Sequence, residues 1–397
     1  MKPIVSFLYL MLAGLLLSAQ KFEMTVNFLA EENWDQTRAQ AGAQSKYILV
    51  DAYTDWCYWC KVQDKKTFTD PDIGQLLNEH FVSIKLDFEH GDGLRLARKY
   101  RVQSYPTLLF FNQEGQLVGR SAGYTEDKDE FIAMVEAQLS PANHLTPIGN
   151  AEVLDPGFPD FYVNHYGASG ERSPAKPKQV ADWLAAQEDL FTEVAYNVLI
   201  TMPLDSTWSQ YFVENHQAYA ERFHAEEVNQ KLTSALLQPA YEAMGKKDEA
   251  ALNASLARLS DYLPEKEVTN ISTSLRLNFF IRSQQFPALV ALASSLADDA
   301  EGAWDAALNQ AAWTMYESCD DEEALLTAID WMRQVLNRHP DSYAELDTQA
   351  ALLLKTHAYD EANTMAQRAI RAGKASGVDV ASTEELLEQI KQGMQDR

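Results

Sequence analysis

The sequence predicts an α/β domain, a central mixed sheet flanked by helices, followed by an all-α domain of helical repeats. Three observations predict it. Between residues 25 and 139, short apolar, β-rich runs alternate with amphipathic stretches of helical period. Between 140 and 178 the prolines Pro141, Pro147, Pro156, Pro159, Pro174 and Pro177 interrupt regular structure. From about Gln179 onward the pattern is nearly all helix. A chain of 397 residues suits two or three domains of common size.

Each element has a local reason. "KYILVDAYT" (46–54) is apolar and β-rich, reads as a strand, and runs straight into the cysteine pair of "TDWCYWCK" (54–61). Asp70-Pro71-Asp72 opens "IGQLLNEHF": carboxylates favour a helix N-terminus, and Pro71 suits the first turn, where its missing N–H would have no partner. "FVSIKLDF" (81–88) is a second strand, "GLRLARKY" (93–100) a helix and "TLLFF" (107–111) a third strand. "NQEGQ" turns into "LVGRSAGY" as a hairpin, and the amphipathic "DKDEFIAMVEAQL" closes the domain. With a helix at about 30–42 in front, the order is β-α-β-α-β-β-α, which covers a central sheet with helices on both faces. The expected limits are 21–140 for this domain, 141–178 for a Pro/Gly-rich linker and 179–397 for the helical domain. The aromatics Phe158, Phe161, Tyr162 and Tyr166 predict that part of the linker packs on a domain.

Within the last third a repeat emerges. At an offset of 34 residues Ala328 pairs with Ala362, Val335 with Ala369, Ala312 with Leu346 and Tyr316 with Ala350. Small residues at fixed sites let two antiparallel helices approach closely, and Pro340 follows the second. This pattern, clearest over 305–375, resembles the tetratricopeptide repeat. "DDEE" (320–323) reads as the acidic start of the helix "ALLTAIDWM", and Trp208, Tyr211, Phe212, Tyr219 and Phe223 read as core at helical spacing.

Lys plus Arg number 33 against 58 Asp plus Glu, a net charge of −25 that repels phosphate backbones and anionic lipid heads and argues against nucleic acid as a partner. At the N-terminus, Lys2 precedes an uncharged run, Ile4 to Leu17, and Ser18-Ala19-Gln20 offers small residues to a peptidase. Residues 1–20 are expected to be a cleaved secretory signal; retention as an anchor stays open, although the run is short for a span of about 20 apolar residues. Export implies a periplasmic or otherwise extracytoplasmic location, where thiols meet oxidants.

Cysteines are few: Cys57, Cys60 and Cys319. Cys319 reads as a small apolar packing residue. A zinc site wants four ligands, but the eight histidines form no close pair and no second cysteine pair exists, so no metal is expected. Lys61 in place of a histidine after Cys60 excludes covalent haem, and no other cofactor is expected. A purely structural disulfide over so short a loop removes little chain entropy. A redox dithiol gives every position a use. The strand ending at Thr54 delivers Cys57 to the first turn of a helix, where free N–H groups and the dipole favour a thiolate. Cys57, first and expected to be the more exposed, attacks a substrate disulfide, and Cys60, one turn deeper, resolves the mixed disulfide. Asp51, an acid set in the apolar run "YILVDAY", has poor solvation and a raised pKa suited to taking the Cys60 proton.

Together "ILVDAYTDWCYWCK", "VSIKLDF" and "VQSYPTLLFF" resemble the thioredoxin superfamily over residues 25–140. "WCYWCK" with "KKTFTDPDI" downstream is closer to the DsbD-type thioredoxin-like domain and to related secreted bacterial thioredoxin-like proteins than to thioredoxin itself. The resemblance implies that Cys57 and Cys60 form the redox-active disulfide, that Asp51 is the buried acid with Lys85 beside it, and that Pro106 follows a cis peptide bond. It further implies that Tyr105 meets the substrate backbone by strand addition and that Trp56 shields the dithiol. Tyr58-Trp59 stands where thioredoxin has Gly-Pro. These aromatics add no positive charge, which places the pair toward the reducing side, and they widen the apolar rim in favour of protein substrates.

The expected function is thus an exported thiol–disulfide oxidoreductase, a protein-disulfide reductase. Disulfide-containing proteins are its substrates, an upstream thiol electron donor such as a membrane DsbD-like carrier reduces it, and the helical domain holds clients or partners. The competing expectation is an envelope adaptor or chaperone whose thioredoxin-like module is a scaffold.

Overall fold

The computed structural model describes residues 23–30 and 33–396, so the expected signal segment 1–20 lies outside the described residues. The chain divides into two compact units, Met1–Ala235 and Leu236–Arg397.

The first unit opens with α1 (Trp34–Gln44), whose N-cap Asn33 accepts the Gln36 N–H, followed by β1 (Tyr47–Tyr53), α2 (Tyr58–Lys66) and α3 (Pro71–His80). Asp70 caps α3, accepting the N–H groups of Asp72 and Ile73, with Pro71 at the first helical position. Then come β2 (Phe81–Asp87), α4 (Gly91–Tyr100), β3 (Thr107–Phe111), β4 (Leu117–Ala122) and α5 (Lys128–Gln138). The four strands form one mixed sheet in the order β2-β1-β3-β4. β1 runs parallel to β2, placing Asp51 opposite Lys85, and antiparallel to β3, which pairs antiparallel with β4.

Alternation along β1 explains why helices cover both faces. Leu49 joins Leu108, Phe110, Ile73, Leu77, Phe131 and Val135 in one core, so α3 and α5 lie on that face. Ile48, Val50 and Phe111 point the other way; there Trp34 and Tyr100 pack edge-on against Phe111, 4.7 and 5.2 Å between ring centres, which places α1 and α4.

Residues 141–178, expected as a linker, belong to the first unit. Phe161, Tyr162 and Tyr166 are buried around α6 (Asp160–His165), the Tyr162 hydroxyl donates to Arg98 O at 2.8 Å, and Leu145 N–H donates to Val118 O at 2.9 Å. Aromatic side chains that need cover and β4 carbonyls that need donors fasten the segment to the α/β module. Three helices follow, α7 (Pro177–Ala185), α8 (Glu193–Thr201) and α9 (Ser206–Arg222), and α10 (Ala225–Lys246) crosses the division. Phe212, Tyr219 and Phe223 are buried, and Tyr196 stacks on Phe223 at 4.0 Å. Two ion pairs between the α/β module and these helices are buried: Lys99 with Glu193, and Arg101 with Glu227.

Helices alone build the second unit: α11 (Glu249–Ala257), α12 (Glu265–Ser283), α13 (Phe286–Ala297), α14 (Asp305–Ser318), α15 (Glu322–Arg338), α16 (Tyr343–Lys355), α17 (Tyr359–Ala375) and α18 (Ala381–Gln395). Asp321 caps α15 and accepts the N–H groups of Glu323 and Ala324, the role read for the acidic run. Cys319 is buried in the core with Met315 and Ala328. The helix pairs recur, but α15 and α17 start at Glu322 and Tyr359, 37 residues apart rather than 34. At that spacing the buried Leu325, Ile329, Met332 and Leu336 recur as Ala362, Ala366, Ala369 and Gly373. An offset of 34 pairs the same buried faces one turn out of step, because residues three apart share a helix face. No helix of the described residues is long and apolar enough to cross a membrane.

Candidate active site

Cys57 follows the Asp55-Trp56 turn after β1, its N–H donating to Thr54 O at 3.1 Å, and becomes the N-cap of α2: its backbone is extended at φ −69° and ψ 109°, and its Sγ accepts the Cys60 N–H at 3.1 Å. A sulfur held at that turn faces N–H groups without helical acceptors and the positive end of the dipole, both of which favour a thiolate. The two cysteines are joined in a disulfide with Cα atoms 5.4 Å apart. One expectation needs correction. Cys57 is 3% exposed and Cys60 4%, so Cys57 is not the more exposed of the two. What distinguishes them is position: Cys57 caps the helix from outside, whereas Cys60 lies within it.

Around this buried pair the surface is unusually aromatic. Trp56, Tyr58 and Trp59 are 57, 68 and 52% exposed and together form one large exposed apolar area. Trp56 packs edge-on to Tyr105 at 5.9 Å, and Tyr105 to Phe88 at 6.3 Å. Trp59 touches Tyr58 at 5.2 Å and stacks on Tyr124 at 5.5 Å. The rim therefore joins the start of α2 to the loop before β3, where the Tyr105–Pro106 bond is cis, and to the turn after β4.

Beneath α2 lies the acid. Asp51 is buried, and the Lys85 ammonium donates to its Oδ2 and to Asp64 Oδ1 at 2.5 Å. Gln63 Nε2 donates to Asp51 Oδ1 at 3.4 Å. Cys60 and Gln63 are the buried residues of α2, one turn apart on one face, so Asp51 sits below the face that carries Cys60. Burial pushes the Asp51 carboxyl above the usual carboxylate range despite Lys85. Lys85, half-buried, is held protonated by Asp51 and Asp64, and it also lies about 5 Å from the rings of Phe28, Tyr53 and Phe68.

The structure brings Cys57, Cys60, Trp56, Tyr58, Trp59, Tyr105 and Pro106 to one face of the module, with Asp51 and Lys85 under it. It adds residues that sequence reasoning missed. Gln63 and Asp64 were accessible in principle, standing three and four positions after Cys60 on the same helical face. Glu89 was not. Its Oε2 accepts the Trp56 indole N–H at 3.0 Å, its Oε1 accepts the Ser169 N–H at 2.8 Å, and Arg172 lies 3.5 Å away, contacts that only folding creates. Tyr124 likewise gives no local signal.

A mixed four-stranded sheet in this order, with a cysteine pair opening the helix after the parallel central strand and a cis-proline before the antiparallel one, is a thioredoxin-superfamily domain followed by a large helical region. Residues 34–139 match the model of the thioredoxin-like domain family. The module is related to the thioredoxin-like part of DsbD. Over 93 residues the chain is 34% identical to the thiol:disulfide interchange protein DsbD of Salmonella typhimurium, covering 23% of this chain and 16% of that protein. With DsbD of Colwellia psychrerythraea it shares 36% identity over 102 residues, 25% of this chain and 17% of that protein. The match thus spans less than a fifth of either relative's length. Among solved structures, a candidate disulphide-isomerase from Bacteroides thetaiotaomicron is 35% identical, covers 30% of this chain and 95% of its own, and superposes with a TM-score of 0.28. A thioredoxin from Thermus thermophilus is 25% identical over 28% of this chain and 86% of its own, with a TM-score of 0.26.

Proposed function

We propose that the chain is an exported thiol–disulfide oxidoreductase that reduces or exchanges disulfides of envelope proteins, with its helical region, read as tetratricopeptide-like, holding clients or partners. The observation that carries this reading is the Cys57–Cys60 disulfide at the first turn of α2, above Asp51 and Lys85. In the reducing direction the Cys57 thiolate attacks one sulfur of a substrate disulfide; that S–S bond breaks and the other substrate sulfur leaves as a thiolate that takes a proton. Asp51, by way of the polar contacts under α2, accepts the Cys60 proton, and Cys60 attacks Cys57 Sγ. The second substrate thiol departs, the substrate has gained two electrons, and the Cys57–Cys60 disulfide is restored. An upstream thiol donor, for which a membrane DsbD-like carrier is the model, returns the pair to the dithiol. Trp56, Tyr58, Trp59 and Tyr105 supply the apolar surface against which an extended substrate chain lies, and the backbone at Tyr105, before Pro106, pairs with it.

The test is catalysed reduction of insulin by the purified chain in the presence of a chemical reductant, together with trapping. A Cys60→Ala variant should accumulate mixed disulfides through Cys57, and a Cys57→Ser variant should accumulate none. A rate of insulin reduction equal to the reductant alone would remove the oxidoreductase. The near-complete burial of both cysteines favours a second reading, an envelope adaptor with the module as scaffold. Full rescue of a deletion phenotype by the Cys57→Ser/Cys60→Ser double variant would establish that one instead.

A further inference from the structure

Away from the dithiol, the first unit holds a polar cavity of about 450 Å³, lined by Arg101 and Gln103 after α4, Arg120 on β4, the end of α8, and Glu227, Lys231 and Ser234 on α10. Its charge does not balance. Glu227 is the single carboxylate among the lining residues, against three cations. Its oxygens are already engaged: Oε2 accepts from Arg101 Nη2 at 2.7 Å and from the Tyr196 hydroxyl at 2.9 Å, while Oε1 lies 2.9 Å from Arg120 Nη2. Lys231 donates to the Met202 carbonyl at 3.1 Å and has no carboxylate within ion-pair distance among the described residues. One guanidinium nitrogen, Arg101 Nε, is buried without a hydrogen-bond acceptor, and the Arg101 side chain is only 6% exposed.

Holding Glu227 in place requires neither Lys231 nor Arg101 Nε. Two positive charges in excess, half-buried beside one carboxylate in a chain of net −25, favour an anion that joins them. Burial lowers the pKa of Lys231 to about 8. Two planar guanidinium groups and one ammonium converging on a partly enclosed space match oxygens that share two negative charges.

We infer that this cavity is a binding site for a small oxygen dianion, the class that includes inorganic phosphate and short dicarboxylates. Lys231 and the Arg120 guanidinium contact the dianion, Arg101 supports it from below, and Glu227 keeps the two arginines in place. The site is separate from the dithiol and does not rest on the proposed redox activity.

Isothermal titration of the full chain with inorganic phosphate and, separately, with succinate tests this, using chloride at matched ionic strength as the reference. One-to-one binding of at least one dianion is expected at millimolar concentration or below, and phosphate or succinate binding more tightly identifies the ligand chemistry. Lys231→Met should weaken it at least tenfold. Ser234→Asp, which sets a carboxylate at an exposed position on the lip without disturbing the core, should do the same and guards against a folding defect in the first variant. Binding of neither dianion, or binding unchanged in both variants, overturns the inference.

Discussion

Asp51 shows how a single residue carries both a cost and a use. Its carboxyl is buried, and its pKa in the folded chain lies above the ordinary 3.8. The folded state therefore holds the Asp51 proton more tightly than the unfolded chain does. Ionisation at neutral pH costs stability, and the cost disappears once the pH falls below the unfolded value. Asp51→Asn should raise the unfolding free energy at pH 7, with the gain gone near pH 3. Urea titrations at the two pH values measure this. If Asp51 takes the Cys60 proton, the same variant resolves a mixed disulfide roughly a hundredfold more slowly in stopped-flow measurements. More stable and slower is the combination that separates a base from a packing residue. Lys85 keeps Asp64 as a partner when Asp51 loses its charge, so the substitution does not strand a buried cation.

Elements are held by contacts a few residues long, and two of these can be tested directly. Gly93 lies where α4 starts against the end of β2: a Cβ there would stand 2.1 Å from the Asp87 carbonyl oxygen and 3.2 Å from Phe88 Cα, both backbone atoms. Gly93→Ala should therefore cost about 2–4 kcal/mol, read as a drop in melting temperature by circular dichroism. Asp321→Ala removes the side-chain acceptor for the Glu323 and Ala324 N–H groups and should cost about 1 kcal/mol, without loss of dithiol reactivity. Elements were also the most legible level of the sequence. Asp70-Pro71 announced the start of α3, and "NQEGQ" announced the β3–β4 hairpin, where Gly115 takes the left-handed φ of 79° that the turn requires. The all-α character of the C-terminal region was legible as well, because its apolar residues recur at helical spacing and face inward on α15 and α17.

For the whole molecule, composition suggested a break at 141–178, yet that segment folds onto the α/β module. Buried aromatic side chains fasten that segment, and buried charges then tie the helices after it to the module. Lys99 is fully buried against Glu193, and Arg101 against Glu227, on α8 and α10. A fragment ending at residue 140 loses both these pairs and the buried cover of Phe161, Tyr162 and Tyr166, and should be less stable in urea than one ending at 235, which should unfold in a single cooperative transition. Equal midpoints for the two would show that the helices after 140 contribute nothing to the module. The same packing supplies Ser169 and Arg172 to Glu89 and, through it, fixes Trp56 beside the dithiol, so part of the candidate site depends on residues far beyond the module the sequence delimits.

From the sequence alone came the strand and helix order, the dithiol at a helix start and the acid on the preceding strand, because each depends on periodicity, capping or spacing over a few positions; the cis-proline and the residue before it came only through the resemblance to a known family. Only the tertiary structure decided that both sulfurs are buried, that Lys85 is shared by Asp51 and Asp64, that Glu89 orients Trp56, and that three cations surround one carboxylate beside α10. Those facts depend on which distant side chains lose their water together, and no local pattern encodes that.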